Sequence, residues 1–154
     1  MKEQDSTLVN EDIDLSLKLF VVLSKAQKVI MDRSVKDMKR HGLSPSEFAI
    51  LELLYHKGKF PLQQIGDKIL VTSGSITYNI DKLEKKELLR RISCPSDRRV
   101  TYAEITERGT ELFNDIFPEH AEVVRASMSG LTAEEKKLAI RLIKKLGTAA
   151  QKQS

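Results

Sequence analysis

Small polar side chains gather at the start of one predicted helix, which runs from Ser73 to about Lys86. Ile76, Ile80 and Leu83 recur at helical spacing, so we expect them to face the core and to turn the polar side chains outward. A helix N-terminus favours negative charge, and small residues there let the backbone approach phosphates. The pattern predicts contact with double-stranded DNA. The alternative is an ordinary solvated helix face.

Individual positions on this face suit different contacts. Ser73 and Thr77 are placed to reach base edges, whereas hydroxyls and lysines around them are better placed to hold phosphates. No arginine or glutamine lies on the exposed first turn, so we expect specificity to depend on hydroxyl contacts, thymine methyl groups and DNA shape. The candidate DNA contacts from this helix are Thr72, Ser73, Ser75, Thr77, Tyr78 and Lys82.

A charged turn at residues 95–98 forms the predicted tip of a β-hairpin, and it supplies a second candidate contact. Arg98 at this tip is placed to enter a minor groove, where narrow A·T tracts concentrate negative potential. Arg99 is predicted to pair with Asp97 and to hold the shape of the hairpin. A solvated, ion-paired loop is the alternative interpretation.

The charge distribution is compatible with a polyanionic partner. The net charge is +4 and the isoelectric point is near 9.1, a weak indication alone. The stretch from residue 81 to residue 99 carries seven basic and four acidic residues, while the first fourteen residues are acidic in balance.

The sequence offers little for catalysis. It has no recognisable Ser-His-Asp set, glycine-rich phosphate loop or catalytic carboxylate pair, and the single Cys94 and three distant histidines lack metal-ligand spacing. We therefore expect a protein that is not an enzyme and has neither metal nor cofactor. No long apolar run and no basic leader is present, which predicts a cytoplasmic protein without membrane contact.

The elements that position these residues follow from capping signals and hydrophobic periodicity. Three short helices in succession predict a helix-turn-helix, and the hairpin after them a wing. Pro118 is expected to kink or restart the helix that contains it. The predicted helices are at 13–39, 45–57, 62–69 and 73–86, with one helix after Thr106 and a last one that begins with a capping box at Thr132; the predicted strands are at 88–94 and 99–105. The helix at 45–57 is expected to begin with a capping box of Ser44 and Glu47, and the helix at 73–86 is expected to be capped by Thr72 or Ser73.

The first helix is apolar on nearly every side between Leu15 and Leu23. Such a helix must be covered from several directions. In a chain of 154 residues we expect a second subunit to supply part of that cover, with burial inside one chain as the alternative.

Four motifs in order resemble the multiple-antibiotic-resistance regulator (MarR) family. They are Ser73-Gly74-Ser75-Ile76-Thr77, Ile80-Asp81-Lys82-Leu83-Glu84, Pro95-Ser96-Asp97-Arg98-Arg99 and Ile105-Thr106-Glu107-Arg108-Gly109. The resemblance covers about residues 43–109. It implies base or backbone contacts from Ser73, Ser75, Thr77 and Tyr78 in the major groove, wing contact from Arg98 in the minor groove, and bracing of the wing by Asp97 and Arg99.

The expected fold is mainly α. One MarR-type domain spans residues 1–154, with a winged helix-turn-helix lobe at about 43–107 and dimerisation helices at about 10–42 and 108–150. We expect the protein to act as a homodimer that binds a pseudo-palindromic operator sequence-specifically and regulates transcription. Repression is favoured over activation. A winged-helix module that binds another protein is the alternative.

The resemblance also implies release from DNA by stress or by an effector, a small aromatic, phenolic or quinone-like compound lodged between the lobe and the dimerisation helices. Candidate lining residues are Phe20, Lys39, His41 and Tyr55, for which ordinary packing is the alternative.

The sequence departs from the family pattern at Glu87, where members usually carry glycine. Either the recognition helix ends differently, or Glu87 adopts a left-handed conformation. Members that sense peroxide have a cysteine in the first helix, but this chain has Cys94 at the wing. Nearby arginines could favour its thiolate and a redox role; the alternative is a small apolar strand residue.

Overall fold

The computed structural model describes residues 2–69 and 75–154, with side chains from residue 6 onward. Within them the chain forms six helices and a three-stranded sheet. In chain order these are α1 (Lys2–Arg40), α2 (Pro45–Lys57), β1 (Lys59–Pro61), α3 (Leu62–Lys68), α4 (Ile76–Lys85), β2 (Leu89–Ser93), β3 (Thr101–Ile105), α5 (Glu107–Ser127) and α6 (Ala133–Gln151). None of the helices described is long and apolar enough to cross a membrane.

Helix α1 is longer than predicted, since it begins at Lys2 rather than at residue 13. Its C-terminal turns pack on the rest of the chain, where Met38 is buried. The apolar middle does not: Leu15, Leu19 and Phe20 are 60%, 51% and 69% exposed. Burial of this segment within one chain, the alternative considered above, is therefore wrong.

The helix-turn-helix lobe follows the capping signals of the sequence. Ser44 caps α2 through a capping box: its hydroxyl accepts from the backbone N–H of Glu47, and the Glu47 carboxylate accepts from the backbone N–H of Ser44. The helix ends at Gly58, whose φ is 79°, a left-handed conformation that glycine adopts without strain. The fully buried residues in the core of the lobe are Phe48, Ile50, Leu51, Leu54, Ile65, Ile80, Leu83, Leu89, Ala103 and Phe113.

The recognition helix α4 begins later than predicted. Its N-cap is Ser75, whose hydroxyl accepts from the backbone N–H of Tyr78 at 3.4 Å. The predicted caps, Thr72 and Ser73, lie outside the described residues. The predicted inward stripe is confirmed for Ile80 and Leu83, which are completely buried.

The sheet has the strand order β1-β3-β2, antiparallel throughout. The predicted hairpin is confirmed, with Arg91 opposite Ala103 and Ser93 opposite Thr101. Strand β1 was not predicted, because three residues ending in Pro61 are too short to show an alternating pattern.

The two C-terminal helices begin where the sequence predicts. Thr106 caps α5, and Thr132 forms a capping box with Glu135 at the start of α6. Helix α5 continues through Pro118 as one element, so the predicted restart is wrong. None of the described residues of α6 is buried. Its apolar side chains are open to solvent, at Leu138, Ile140, Leu142, Ile143 and Leu146.

Candidate nucleic-acid interface

The outward face of α4 is polar and accessible. Thr77 and Ser75 are exposed, and Tyr78 is 60% exposed. The Ser75 hydroxyl is occupied as an acceptor by the helix cap, which leaves its own proton available to a phosphate oxygen. The structure thus brings three predicted contacts to one surface, while Thr72 and Ser73 lie in the undescribed segment before it.

Lys82, predicted to hold a phosphate, has a partner within the protein. Its Nζ lies 3.2 Å from Glu47 Oε1 and 5.6 Å from the centre of the Tyr78 ring. Glu47 was predicted only as part of a helix cap. Its second role could not be found from sequence, because the two residues lie on separate helices.

Most of the basic residues between 81 and 99 are neutralised by nearby carboxylates. Arg91 bonds both Asp81 and Glu84, at 2.5 and 2.7 Å. The remaining pairs are Lys82 and Lys86 with Glu47, Arg90 with Glu104, and Arg99 with Asp97. Of the seven basic residues in this stretch, Lys85 and Arg98 have no ion-pair partner within the described part of the chain. The count of basic residues therefore overstated the free positive charge.

The wing tip is held by Asp97. Its carboxylate accepts from the backbone N–H of Arg99 at 3.0 Å and from the Arg99 Nε at 3.1 Å, and the Arg99 side chain lowers the pKa of this carboxyl. Gln63 of α3 donates to the Arg99 carbonyl at 3.3 Å, which ties the wing to the lobe. Arg98 projects from this turn and is exposed.

Glu87 ends the recognition helix in the left-handed conformation, with φ of 62°. Of the two alternatives raised by the missing glycine, this one is confirmed. The Glu87 side chain pairs with Arg108 at 2.8 Å, and its carbonyl accepts from the Thr106 hydroxyl at 2.7 Å.

Cys94 lies just beyond strand β2, with its Sγ 3.2 Å from the Ser96 hydroxyl. Hydrogen bonding from that hydroxyl, and next from the backbone of Ser96 and Asp97, lowers the pKa of the thiol. The predicted cause was the nearby arginines, Arg90, Arg91, Arg98 and Arg99, but none of them is among the causes that lower this pKa.

A cavity of about 640 Å³ lies where α1 and α5 meet α2. Its wall is largely apolar and includes Met31, Met38, Phe48, Phe117 and Val124. Its polar lining residues include Glu52, His56 and His120. His120 is buried, its Nδ1 lies 3.0 Å from Asp37 Oδ2, and its ring contacts Phe48 at 4.4 Å between centroids.

The four residues predicted to line a ligand pocket are not among those that line this cavity, and their role stays a prediction. Phe20 and Lys39 are exposed on α1. His41 lies 3.4 Å from Glu119, and the Tyr55 hydroxyl donates to Asn114 at 2.5 Å. Sequence reasoning located the junction but not the rotation of each helix about its axis, which decides the side chains that face inward.

Comparison with known proteins supports the resemblance. Residues 43–101 match the model of the MarR family. The chain is 57% identical over 136 residues to the HTH-type transcriptional regulator MhqR of Bacillus subtilis, a match that covers 88% of this chain and 94% of that protein.

Two solved structures share the fold. Sco3205, a MarR family regulator from Streptomyces coelicolor solved in complex with DNA, matches with a TM-score of 0.78 and 21% identity, over 86% of each chain. BpsR of Bordetella bronchiseptica, whose DNA binding is regulated by 6-hydroxynicotinic acid, matches with a TM-score of 0.74 and 19% identity, over 84% of this chain and 92% of BpsR. The polar-faced helix, the charged wing and the extent of these matches establish that the chain belongs to the MarR family of DNA-binding transcriptional regulators, which are not enzymes.

Proposed function

We propose that the protein is a homodimeric repressor that acts in the cytoplasm on a pseudo-palindromic operator whose half-site centres lie roughly 34 Å apart. One observation carries the proposal: an exposed polar face on α4 lies beside a wing whose tip presents the unpaired Arg98. Helix α4 would occupy the major groove and the wing the minor groove. That Sco3205, which shares the fold, was solved with DNA supports DNA as the partner.

The proposed contacts are those that the described surface leaves free to bind. Thr77 and Tyr78 would reach bases or the adjacent backbone, Ser75 a phosphate, and Arg98 the minor groove. Thr72 and Ser73 stay predictions from the sequence. Asp97 and Arg99 would hold the wing in shape, since their ion pair fixes the turn on either side of Arg98.

Salt-dependent binding to DNA from upstream of the protein's own gene tests this function. Arg98→Ala should weaken the complex and lower the slope of log K against log salt by about 0.9 for each wing that contacts a phosphate. Arg125→Ala is the control, since this arginine lies on α5 and is paired with Glu122. No salt-sensitive complex with the wild-type protein would instead favour the protein-binding module.

The proposed dimer would form through α1 and α6, whose apolar faces stay exposed in one chain. Leu19→Asp should yield a monomer by light scattering and should abolish operator binding. Lys25→Asp, an exposed change on the same helix, is the control. A folded Leu19→Asp monomer that binds the operator normally would contradict this assignment.

The cavity between α1, α2 and α5 is the proposed effector site. Apolar walls with Glu52 and His120 among them suit a small aromatic compound that carries a hydroxyl group. Such a ligand weakens DNA binding only as far as it prefers the conformation that does not bind. Hydroquinone should release DNA from the wild type but not from Ala49→Phe, which fills the cavity; equal release would exclude this site.

A further inference from the structure

Glu47 is a buried carboxylate that serves two elements at once. Its side chain is 2% exposed. It accepts from the backbone N–H of Ser44 at 3.2 Å, from Lys86 Nζ at 2.6 Å and from Lys82 Nζ at 3.2 Å. Burial by itself raises the pKa of Glu47, but the hydrogen bonds from Lys86, Ser44 and Lys82 outweigh it and lower the pKa. The carboxylate is therefore charged at neutral pH.

The two lysines come from the recognition helix, and both remain reachable from solvent. The Lys82 side chain is 37% exposed and that of Lys86 39%. Lys86 is also held by the Gly42 carbonyl at 3.3 Å, so it is anchored twice. Lys82 follows Tyr78 by one helical turn and lies against its ring, which places it beside the face proposed to meet DNA.

We propose that Glu47 withholds Lys82 from DNA phosphates and so lowers the affinity for DNA that lacks the operator. The inference rests on the proposed function. Non-specific binding comes almost entirely from neutralised phosphates. To reach a phosphate, Lys82 must leave the buried carboxylate of Glu47. That carboxylate would then have Lys86 as its remaining cationic partner, and the loss of a partner by a buried charge is costly. Binding then depends more on the contacts of α4 and the wing that read the DNA.

The pairs of Arg91 with Asp81 and Glu84 restrain another cation near α4, but their carboxylate side chains are about half exposed, at 50% and 43%. Exposed pairs break at little cost. Burial is what distinguishes Glu47.

Glu47→Gln tests the inference, because the glutamine Oε1 can still accept from Ser44 and preserve the helix cap. Binding to a random-sequence duplex would be followed by fluorescence anisotropy over a series of KCl concentrations. The variant should bind this duplex more tightly than the wild type does. Its slope of log K against log salt should steepen by about 0.9 for each Lys82 that gains a phosphate. Glu122→Gln is the control, because it removes the same charge from an exposed site on α5.

Lys82→Met separates this role from a merely structural one. In the wild type the substitution should leave the slope unchanged, and in Glu47→Gln it should remove the gain. An unchanged slope in folded Glu47→Gln would overturn the inference, and so would a shallower slope in Lys82→Met alone. If Glu47→Gln does not fold, the result for Lys82→Met alone decides.

The same experiment distinguishes the two proposals. A wild-type protein that binds neither this duplex nor the DNA upstream of its own gene, at any salt concentration, overturns the proposed function and this inference with it. A wild type that binds, with the same slope as Glu47→Gln, overturns only the role of Glu47.

Discussion

Replacing Glu87 with glycine should stabilise the protein. Glu87 has a φ of 62°, in the left-handed region that disfavours residues with a Cβ. Its backbone cannot relax, because its N–H donates to Glu84 at 2.9 Å and its carbonyl accepts from the Thr106 hydroxyl at 2.7 Å. The turn is therefore fixed by contacts that do not involve the side chain.

The expected magnitude follows from three opposing effects. Relief of the left-handed conformation contributes about 1–2 kcal/mol. The greater freedom of glycine in the unfolded chain removes about 0.4–1 kcal/mol. The ion pair with Arg108 is lost, but its side chains are 75% and 68% exposed, so it is worth at most about 0.5 kcal/mol. The net gain is about 0.5 kcal/mol, or one to two degrees in the melting temperature.

Thermal unfolding at a fixed protein concentration measures the effect, because a dimer's melting temperature depends on concentration. Glu87→Ala is the matched control: it removes the ion pair but keeps the strained φ, so it should be no more stable than the wild type. The glycine variant should exceed the alanine variant by about 1 kcal/mol. If the two variants melt together, the left-handed conformation costs no more than glycine loses through its freedom in the unfolded chain, and our account of this turn is wrong.

Three further predictions concern other sites. The folded-state pKa of Glu47 is lowered, so the contribution of its charge to stability is present above the ordinary value of 4.5 and is lost as pH falls through the folded-state value. The difference in unfolding free energy between the wild type and Glu47→Gln, measured in urea, should therefore shrink in acid. Ser96→Ala should raise the pKa of Cys94, seen as a shift to higher pH in the rate of iodoacetamide alkylation; an unshifted profile would remove the hydroxyl as the cause. Gly109→Ala should destabilise by about 1–3 kcal/mol in urea, because its Cβ would collide with the Leu88 carbonyl oxygen, whereas Gly147→Ala, with open space around it, should not destabilise.

Local chemistry made the lobe predictable. Ser44, Thr106 and Thr132 each cap a helix as expected, since the capping hydroxyl and its target lie three residues apart. Features that depend on distant segments were missed. Strand β1 exists because residues 59–61 pair with β3, more than forty residues later, and nothing within three residues signals that partner.

The electrostatics of the candidate site were predicted least well, for the same reason. A count of charges along the chain treats each lysine and arginine as free, but Lys82 meets Glu47 across 35 positions and Arg90 meets Glu104 across a hairpin. Arg99 was the exception. Its partner, Asp97, lies two residues away within one turn, so sequence alone could find it.

Helix α2 joins the two halves of the proposed mechanism through neighbouring residues. Phe48 lines the cavity and contacts the His120 ring, while Glu47, directly before it, binds two lysines of the recognition helix. Both side chains are buried, so neither can shift without moving the backbone that they share. A ligand that displaces Phe48 would therefore also disturb the contact that fixes α4. A ligand in the proposed effector site and DNA on α4 would thus both bias the position of the first turn of α2. Coupling between two sites requires such a shared element.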